Sequence, residues 1–326
     1  MIDKTNLLEI KNLTVSYKTQ DGVVHAVNDL NLKVGNCETL GFVGETGAGK
    51  TTTAMAVMRL IPKPPGRIEN GQILFEGQDL LTLSDKKMRK IQGKDISMIF
   101  QDPMTSLNPV IRVSEQIMEM IRLHTKVSKT EAYEEACRLL ELVGIKRERA
   151  NDFPHQFSGG MKQRVVIAIA LACSPKLIIA DEPTTALDVT IQAQVMELMK
   201  DLKDKFGTSM ILITHDLGVV AEICDKVAIM YAGGVVEYAS KEEFYTNPCH
   251  PYTKGLFNSI PKLDVEETTL QEIQGLPPEP TDTIPGCVFN PRCPDCMERC
   301  KREQPGITYM EKDHYVRCFL FEKGQV

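Results

Sequence analysis

Residues 44–52 read Gly44-Glu-Thr-Gly-Ala-Gly-Lys50-Thr51-Thr52, a fit to G-x-x-x-x-G-K-[ST] in the surroundings that motif needs. Before it, Glu38-Thr-Leu-Gly-Phe-Val43 is an apolar run short enough for a buried strand. After it, Thr53-Ala-Met-Ala-Val-Met-Arg-Leu60 has good helix formers and no Gly or Pro. Strand, glycine loop and helix together wrap a phosphate chain. Gly44, Gly47 and Gly49 let the loop turn its N–H groups inward, with Glu45, Thr46, Ala48 and Thr52 completing the binding set, and the helix N-terminus adds its positive dipole end. Lys50 would reach the β- and γ-phosphates, and the Thr51 hydroxyl would ligate Mg²⁺. A glycine turn that happens to precede a lysine is the plain alternative, and so many constrained positions in the right context disfavour it. The stretch predicts a nucleoside triphosphate site.

The rest of the chain frames that site. At 326 residues it suits one large domain plus an appendage, or two domains. The net charge of -6 argues against a protein that mainly grips nucleic acid, which needs a basic face. No apolar run approaches the ~20 residues of a membrane span; the longest, Val165-Val-Ile-Ala-Ile-Ala-Leu-Ala-Cys173, reads as a buried helix. The first residues, Met1-Ile-Asp-Lys-Thr-Asn, lack the basic and apolar regions of a signal peptide, so a cytosolic protein is expected. The ten cysteines are then better read as thiols or metal ligands than as disulfides. Cys37, Cys137, Cys173, Cys224 and Cys249 are scattered, and five more crowd the end of the chain.

Outward from the loop, Leu7–Val15 and Ala26–Val34 alternate like antiparallel strands with one wet face. Pro62–Gly71 reads as a loop, Ile73–Gly77 as a strand, and Ile96–Phe100 as a short strand ending at Gln101. Asp102–Pro109 carries two prolines that break regular structure. Helical patterning starts at Val113, and Ser128-Lys-Thr-Glu131 is a capping box for a helix whose face is Ala132, Ala136, Leu139, Leu140 and Val143. A helical insertion over about 104–165 follows from this. Ser158-Gly159-Gly160 precedes a helix over Met161–Cys173. Leu177–Ala180, Met210–Ile213 and Val227–Met230 read as buried strands alternating with helices, which means a parallel sheet.

Two of these strands end in chemistry. Asp181 and Glu182 close the first: Asp181 would hold Mg²⁺ directly or through water, and Glu182 would polarise the attacking water. Gln101 could reach both metal and water, and His215 could sit against the γ-phosphate. Singly, His215 reads as a loop histidine and Gln101 as a surface amide; four polar residues at strand ends, all aimed at one phosphate loop, are hard to obtain by chance.

With these pieces in place, the chain resembles the ATP-binding subunits of ABC transporters over roughly residues 5–250. Gly44–Thr51 matches the Walker A loop, Gln101 the Q-loop glutamine, and Phe157-Ser-Gly-Gly-Met161 the ABC signature. Leu177–Asp181 with Glu182 matches Walker B and the catalytic glutamate, Ala186-Leu-Asp188 the D-loop, and His215 the switch histidine. Tyr17 falls where the family places an aromatic on adenine. Phe157 and Met161 depart from the commonest signature, Leu-Ser-Gly-Gly-Gln, while Ser158, Gly159 and Gly160 keep the hydroxyl and amides ready for an anion. The resemblance implies an α/β fold: a RecA-like P-loop core with an antiparallel β subdomain and an α-helical subdomain, spanning residues 1–255. It implies that Ser158, Gly159 and Gly160, with Asp188, serve ATP held by the Walker A loop of a second, opposed subunit. It also implies docking of a separate transmembrane pair on the loop from Asp102 to Val110, so that the chain would sit peripherally on the cytoplasmic face of the membrane.

The last part narrows the group. His250-Pro-Tyr-Thr-Lys-Gly-Leu256, Pro261 and Gly286-Cys287-Val-Phe-Asn-Pro-Arg292-Cys293-Pro294 resemble the C-terminal extension (256–326 here) of oligopeptide, dipeptide and nickel importer ATPases, beyond a proline-rich stretch at Gly275–Gly286. Some members carry a [4Fe–4S] cluster there. Cys287, Cys293, Cys300 and Cys318 match the cysteines usual in that group; Cys296 is an alternative, and a compact Cys287/Cys293/Cys296/Cys300 set stays open. By ligand type, four thiolates suit iron–sulfur or zinc. The expected activity is ATP hydrolysis that powers import of di- or oligopeptides. The expected partners are two permease subunits, a related but non-identical second ATPase and an extracytoplasmic peptide-binding protein, with no nucleic acid. A nickel or other small-solute importer is the nearer alternative. A soluble ABC ATPase is the more distant one: the stretch between Lys50 and Ser158 has no sustained heptads, and there is one nucleotide domain per chain. A nucleotide sensor without turnover would often lack the acid at Glu182.

Overall fold

The computed structural model describes residues 6–20, 22–185, 187–259, 273–279, 281–282, 284–311 and 313–322. Ala186 of the D-loop match and Pro261 of the tail match lie outside them. The chain opens with two long strands, β1 (Asn6–Lys18) and β2 (Val23–Gly35), and a short one, β3 (Thr39–Val43), which leads into helix α1 (Lys50–Val57). Next come β4 (Gly66–Phe75), β5 (Gln78–Asp79), α2 (Asp85–Ile91) and β6 (Ile96–Ile99). Helices α3 (Pro103–Ser106), α4 (Val113–His124), α5 (Lys129–Leu142) and α6 (Gly159–Leu171) form an unbroken helical run. Strand and helix then alternate through β7 (Leu177–Asp181), α7 (Val189–Phe206), β8 (Ser209–Thr214), α8 (Leu217–Ile223) and β9 (Lys226–Tyr231). The chain continues through β10 (Gly234–Ser240), α9 (Lys241–Thr246), α10 (Pro251–Asn258), β11 (Thr308–Glu311) and β12 (His314–Val316).

Two compact units divide the chain. The first comprises the stretch up to Leu8, Val34–Thr39 and Leu74–Thr214. In it β6, β7 and β8 pair in parallel, Ile96 opposite Leu177 and Leu177 opposite Ser209. Every residue of β7 and β8 is buried, as expected for parallel strands covered on both faces. The capping box is realised: Glu131 donates its backbone N–H to the Ser128 hydroxyl (3.2 Å), and Ser128 donates its N–H to the Glu131 carboxylate (2.7 Å). Ala132, Ala136, Leu139, Leu140 and Val143 are all buried, and Gly144 ends the helix in the left-handed conformation (φ 79). Helix α6 packs on α4, α5, α7 and β6.

The second unit comprises Glu9–Lys33, Leu40–Ile73 and His215 onward. Here β3 and β9 run in parallel, with Val43 opposite Ile229. Beyond β9 the pairing turns antiparallel, through β10 to β12 and then β11. The greater parts of β2, β1 and β4 lie side by side in this unit, in that order.

Three expectations change. The loop expected over Pro62–Gly71 ends early, because β4 begins at Gly66. Gly71 is no stop but a crossing point with β1, where a Cβ would lie 2.6 Å from the Leu13 Cα. Between the two prolines expected to break regular structure, Pro103–Ser106 makes a single helical turn; Pro103 is tolerated at a helix start, where its missing N–H costs nothing. The antiparallel continuation through β10, β11 and β12 was not expected, since β11 is exposed along most of its length and lacks the apolar run that marks the parallel strands.

Candidate nucleotide-binding residues and the cysteine-rich extension

The glycine loop takes its shape from what crowds it. A Cβ on Gly44 would lie 2.2 Å from the Met230 carbonyl oxygen, and one on Gly49 would lie 2.1 Å from that of Ala26. Gly49 also has φ 103, a backbone conformation that L side chains rarely adopt. Gly47 (φ 83) faces open space, so there the backbone angle alone asks for glycine. Ala48 donates to the Glu45 carbonyl (3.2 Å) and accepts from Gly233 (3.0 Å). The Lys50 ammonium is buried and folds back to donate to the carbonyls of Gly44 (2.6 Å) and Glu45 (2.9 Å). Thr46, Thr51 and His215 are exposed, and Thr52 is half-buried. Tyr17, at the end of β1, packs its ring edge against Gly66, where an added Cβ would lie 2.8 Å from Cε1.

In the other unit, β7 delivers a buried Asp181 and then a sharp turn, with Glu182 in the left-handed region (φ 45). Glu182 donates its N–H to Ile213 (2.9 Å) and accepts from Thr185 (3.1 Å), which holds a conformation that otherwise costs of order 1–3 kcal/mol. Gln101 Nε2 (2.8 Å) and Thr185 Oγ1 (2.9 Å) both donate to Glu182 Oε2. Gln101 and Glu182, predicted separately from two strand ends, are thus brought into direct contact.

Ser158 caps α6, its hydroxyl accepting from Met161 N–H at 3.4 Å. Ser158 and Gly159 are exposed at that N-terminus, and a Cβ on Gly160 would lie 2.5 Å from Ile191 Cγ2. The two departures from the commonest signature have an internal partner. Arg149 stacks on the buried Phe157 ring (4.3 Å) and donates to Met161 Sδ (3.4 Å). Asp188 caps α7 through the Ile191 N–H (3.0 Å).

The cysteine-rich extension is anchored by aromatic rings. Phe289 is buried, with ring centroids 5.1 Å from Tyr231 and 5.4 Å from Tyr252, themselves 4.6 Å apart. Cys287 donates its N–H to the Cys300 carbonyl (2.7 Å). Burial pushes the Cys293 thiol up to about 12 and the Cys318 thiol up to about 11, and neighbouring sulfurs push further: Cys318 and Cys287 on Cys293, Cys287 and Cys300 on Cys318. Burial, Cys300 and Cys296 likewise raise Cys287. All five tail cysteines, Cys296 included, therefore lie within electrostatic reach of at least one other, and all ten cysteines are unbridged. Cys296 turns its thiol to the Met297 carbonyl (3.6 Å).

Sequence reasoning missed two arrangements. Arg292 pairs with Glu45 across 247 positions of chain, and Tyr252 accepts a hydrogen bond from the Glu45 N–H (3.0 Å). An acid inside a phosphate loop was the available signal, since it asks for a cation. The second is a buried node: Glu237 accepts from the N–H groups of Cys249 and His250 (2.8 Å each) and pairs with His314 Nε2 at 3.0 Å. Burial pushes the Glu237 carboxyl up, but these donors outweigh it and hold it below the usual range. The hydrogen bond to Glu237 raises the His314 imidazole. Among the described residues, Glu237, Cys249 and His314 are the one trio of potential metal ligands whose donor atoms all lie within 4.8 Å of one another. With its carboxylate so fully bonded to donors, this node reads as a structural ion pair.

Comparison with known proteins agrees with the family resemblance. Residues 27–185 match the ABC transporter family, and residues 236–300 match the oligopeptide/dipeptide transporter C-terminal region. The chain is 53% identical over 323 residues to the oligopeptide transport ATP-binding protein OppD of Bacillus subtilis (strain 168), covering 98% of this chain and 90% of that protein. It is 50% identical to the dipeptide transport ATP-binding protein DppD of the same organism, covering 96% and 94%. It is 52% identical to OppD of Escherichia coli (strain K12), covering 92% and 89%. Among solved structures, the dimeric structure of MJ0796, a bacterial ABC transporter cassette, matches with a TM-score of 0.65 and 28% identity over 72% of this chain and 98% of that one. A RecA-like P-loop cassette, the motifs of its strand ends and a matched C-terminal region place the chain in the ABC transporter family, in its oligopeptide and dipeptide ATP-binding branch.

Proposed function

We propose that this chain hydrolyses MgATP to power the uptake of di- and oligopeptides through a separate pair of membrane subunits. The observation that carries this is the match to peptide-transport ATP-binding proteins along 98% of the chain, through cassette and C-terminal region alike. No helix among the described residues is long and apolar enough to cross a membrane, so the translocation path belongs to other chains, with this one peripheral at the cytoplasmic face. A peptide-binding protein outside the membrane delivers substrate, and a second, related ATPase faces this one; the dimeric cassette structure supports that pairing. Residues 1–255 form the nucleotide domain, with its helical insertion at about 104–165, and 256–326 the extension.

Roles follow from the motifs. Amides over Gly44–Thr52 and the N-terminus of α1 hold the phosphate chain, Lys50 meets the β- and γ-phosphates, and Tyr17 stacks on adenine. A buried carboxylate (Asp181), a hydroxyl (Thr51) and an amide oxygen (Gln101) are the hard oxygen donors that Mg²⁺ takes; bound there it would neutralise charge on the phosphate oxygens. Glu182 orients the attacking water and takes its proton, with its carboxylate steered by Gln101 and Thr185, and His215 faces the γ-phosphate. Ser158, Gly159, Gly160 and Asp188 serve the nucleotide held by the partner ATPase.

Cys287, Cys293, Cys300 and Cys318 hold a [4Fe–4S] cluster in this reading. All four thiols are unbridged, and burial together with neighbouring sulfurs raises Cys287, Cys293 and Cys318, which favours a positive centre among them. A structural staple for a small, core-poor tail is its plainest role.

Transport is tested by ATPase activity of the chain with its membrane subunits in proteoliposomes. Stimulation is expected from binding protein loaded with peptide; stimulation by nickel instead would sink the peptide assignment. Glu182→Gln is expected to retain MgATP and lose about 10²–10⁴ of turnover, and wild-type hydrolysis in that variant would remove Glu182 from the role of base. For the tail, protein purified without oxygen is expected to carry about four irons per chain. Iron is lost in Cys300→Ser and kept in Cys296→Ser; one zinc and no colour would replace the cluster by a zinc site.

A further inference from the structure

The residue after Gly44 in the phosphate loop is an acid, in a place where a triphosphate favours donors and positive charge. The Glu45 carboxylate is met by a fork. Arg292 Nη1 donates to Oε2 at 2.8 Å and Nη2 to Oε1 at 3.2 Å. The Arg292 side chain is only 6% exposed. Its Nε donates to the Gln274 carbonyl (3.2 Å), and Nη1 also reaches the Tyr231 hydroxyl (3.4 Å). The Glu45 backbone is fixed as well, its N–H donating to the Tyr252 hydroxyl. Glu45, the second residue of the loop, is therefore gripped at side chain and main chain by Arg292 and Tyr252, both of them later in the chain than β10. Arg292 immediately precedes Cys293 and sits two residues beyond Asn290, whose backbone bonds to Cys287.

We propose that Arg292 is a positioning residue of the nucleotide site, which neutralises Glu45 and draws its carboxylate aside so that the C-terminal extension sets the affinity of the phosphate loop. Without the fork, Glu45 leaves an uncompensated negative charge within the loop that receives a triphosphate. A bidentate guanidinium is suited to this, because it fixes the carboxylate plane as well as its charge. The proposal rests on nucleotide binding at Gly44–Thr52 and holds whatever fills the cysteine quartet. It links the two ends of the molecule by reciprocity: whatever displaces Arg292 weakens nucleotide binding, and bound nucleotide steadies Arg292 equally.

The alternative is that Arg292 merely staples the tail through its carbonyl and ring contacts, and charge removal on both partners separates the two. Calorimetric titration of the full-length chain with MgADP and with a non-hydrolysable MgATP analogue is the measurement. Arg292→Gln is expected to weaken binding about thirtyfold, the lower end for truncating one partner of a buried ion pair. The double variant Glu45→Gln/Arg292→Gln is expected to return to within about threefold of wild type, because the stranded carboxylate is gone. A simple staple cannot be rescued by changing Glu45, so a double variant as weak as Arg292→Gln overturns the proposal, as does unchanged affinity in Arg292→Gln. Should Arg292→Gln fail to give a cooperative melt, two milder variants decide. Arg292→Lys, with charge but no fork, is expected to weaken binding about threefold, and Glu45→Gln alone to tighten it. Weaker binding by Glu45→Gln would overturn the proposal. A wild-type chain that binds no nucleotide overturns the site assignment itself, and the clamp with it.

Discussion

The glycine loop and the cysteine-rich extension are both candidate ligand sites, built in opposite ways. The loop is one continuous stretch in which backbone does the work, so nine adjacent residues carry nearly all its information. The extension gathers side chains from Cys287 to Cys318, anchors them with Phe289, and borrows Tyr231 and Tyr252 from earlier in the chain. A backbone site tolerates almost no added atom; a side-chain site tolerates change in proportion to the packing it loses.

That contrast can be broken in order of expected effect. Gly49→Ala sets a Cβ 2.1 Å from the Ala26 carbonyl at φ 103, and MgATP binding is expected to be lost altogether. Gly47→Ala meets open space and is expected to cost about 1–2 kcal/mol of backbone strain, with binding measurable by calorimetry. Equal effects at the two glycines would show that crowding is not what shapes the loop. In the extension, Phe289→Ala is expected to remove about 3–5 kcal/mol of stability, read as a shift in a urea melt. A shift under about 1 kcal/mol would mean that the ring trio is not the anchor.

The smallest effect is pH-dependent. His314 is raised above its ordinary 6.5 by Glu237, so its contribution is full below pH 6.5 and is lost as pH rises through the raised folded value. Glu237 is held below its ordinary 4.5, so its contribution is present above pH 4.5 and is lost as pH falls through the depressed value. His314→Gln is therefore expected to lower stability most between pH 4.5 and 6.5, by about 2 kcal/mol, and less in alkaline solution. Thermal melts across that range check it, and a penalty that grows toward high pH would mean that His314 is neutral in the fold.

Legibility followed the same divide. Gly44–Thr51, Ser158–Gly160 and the Asp181–Glu182 strand end were readable because each is local: spacing, glycine and a buried run determine the geometry where they stand. The α5 capping box was readable for that reason too. Gln101 and Glu182 were each picked out by their places at strand ends, but the 2.8 Å hydrogen bond between them was not foreseen. The antiparallel strands β10, β11 and β12 were not legible, since their partners rather than their patterns make them strands. Nor was the internal use of Phe157 and Met161, whose partner Arg149 carries no sign of its role.

The sequence by itself was enough to mark the glycine loop, the Asp181–Glu182 strand end and the Ser158 helix cap, and to show that five thiols gather near the C-terminus. Those properties depend on residue type and short spacing. Folding in three dimensions settled which side chains meet across long separations: Arg292 on Glu45, Phe289 against Tyr231 and Tyr252, and His314 on Glu237. The reason is physical. A salt bridge or ring contact across tens to hundreds of positions leaves no periodicity behind, because it is settled by which buried surfaces pack together when the whole chain folds.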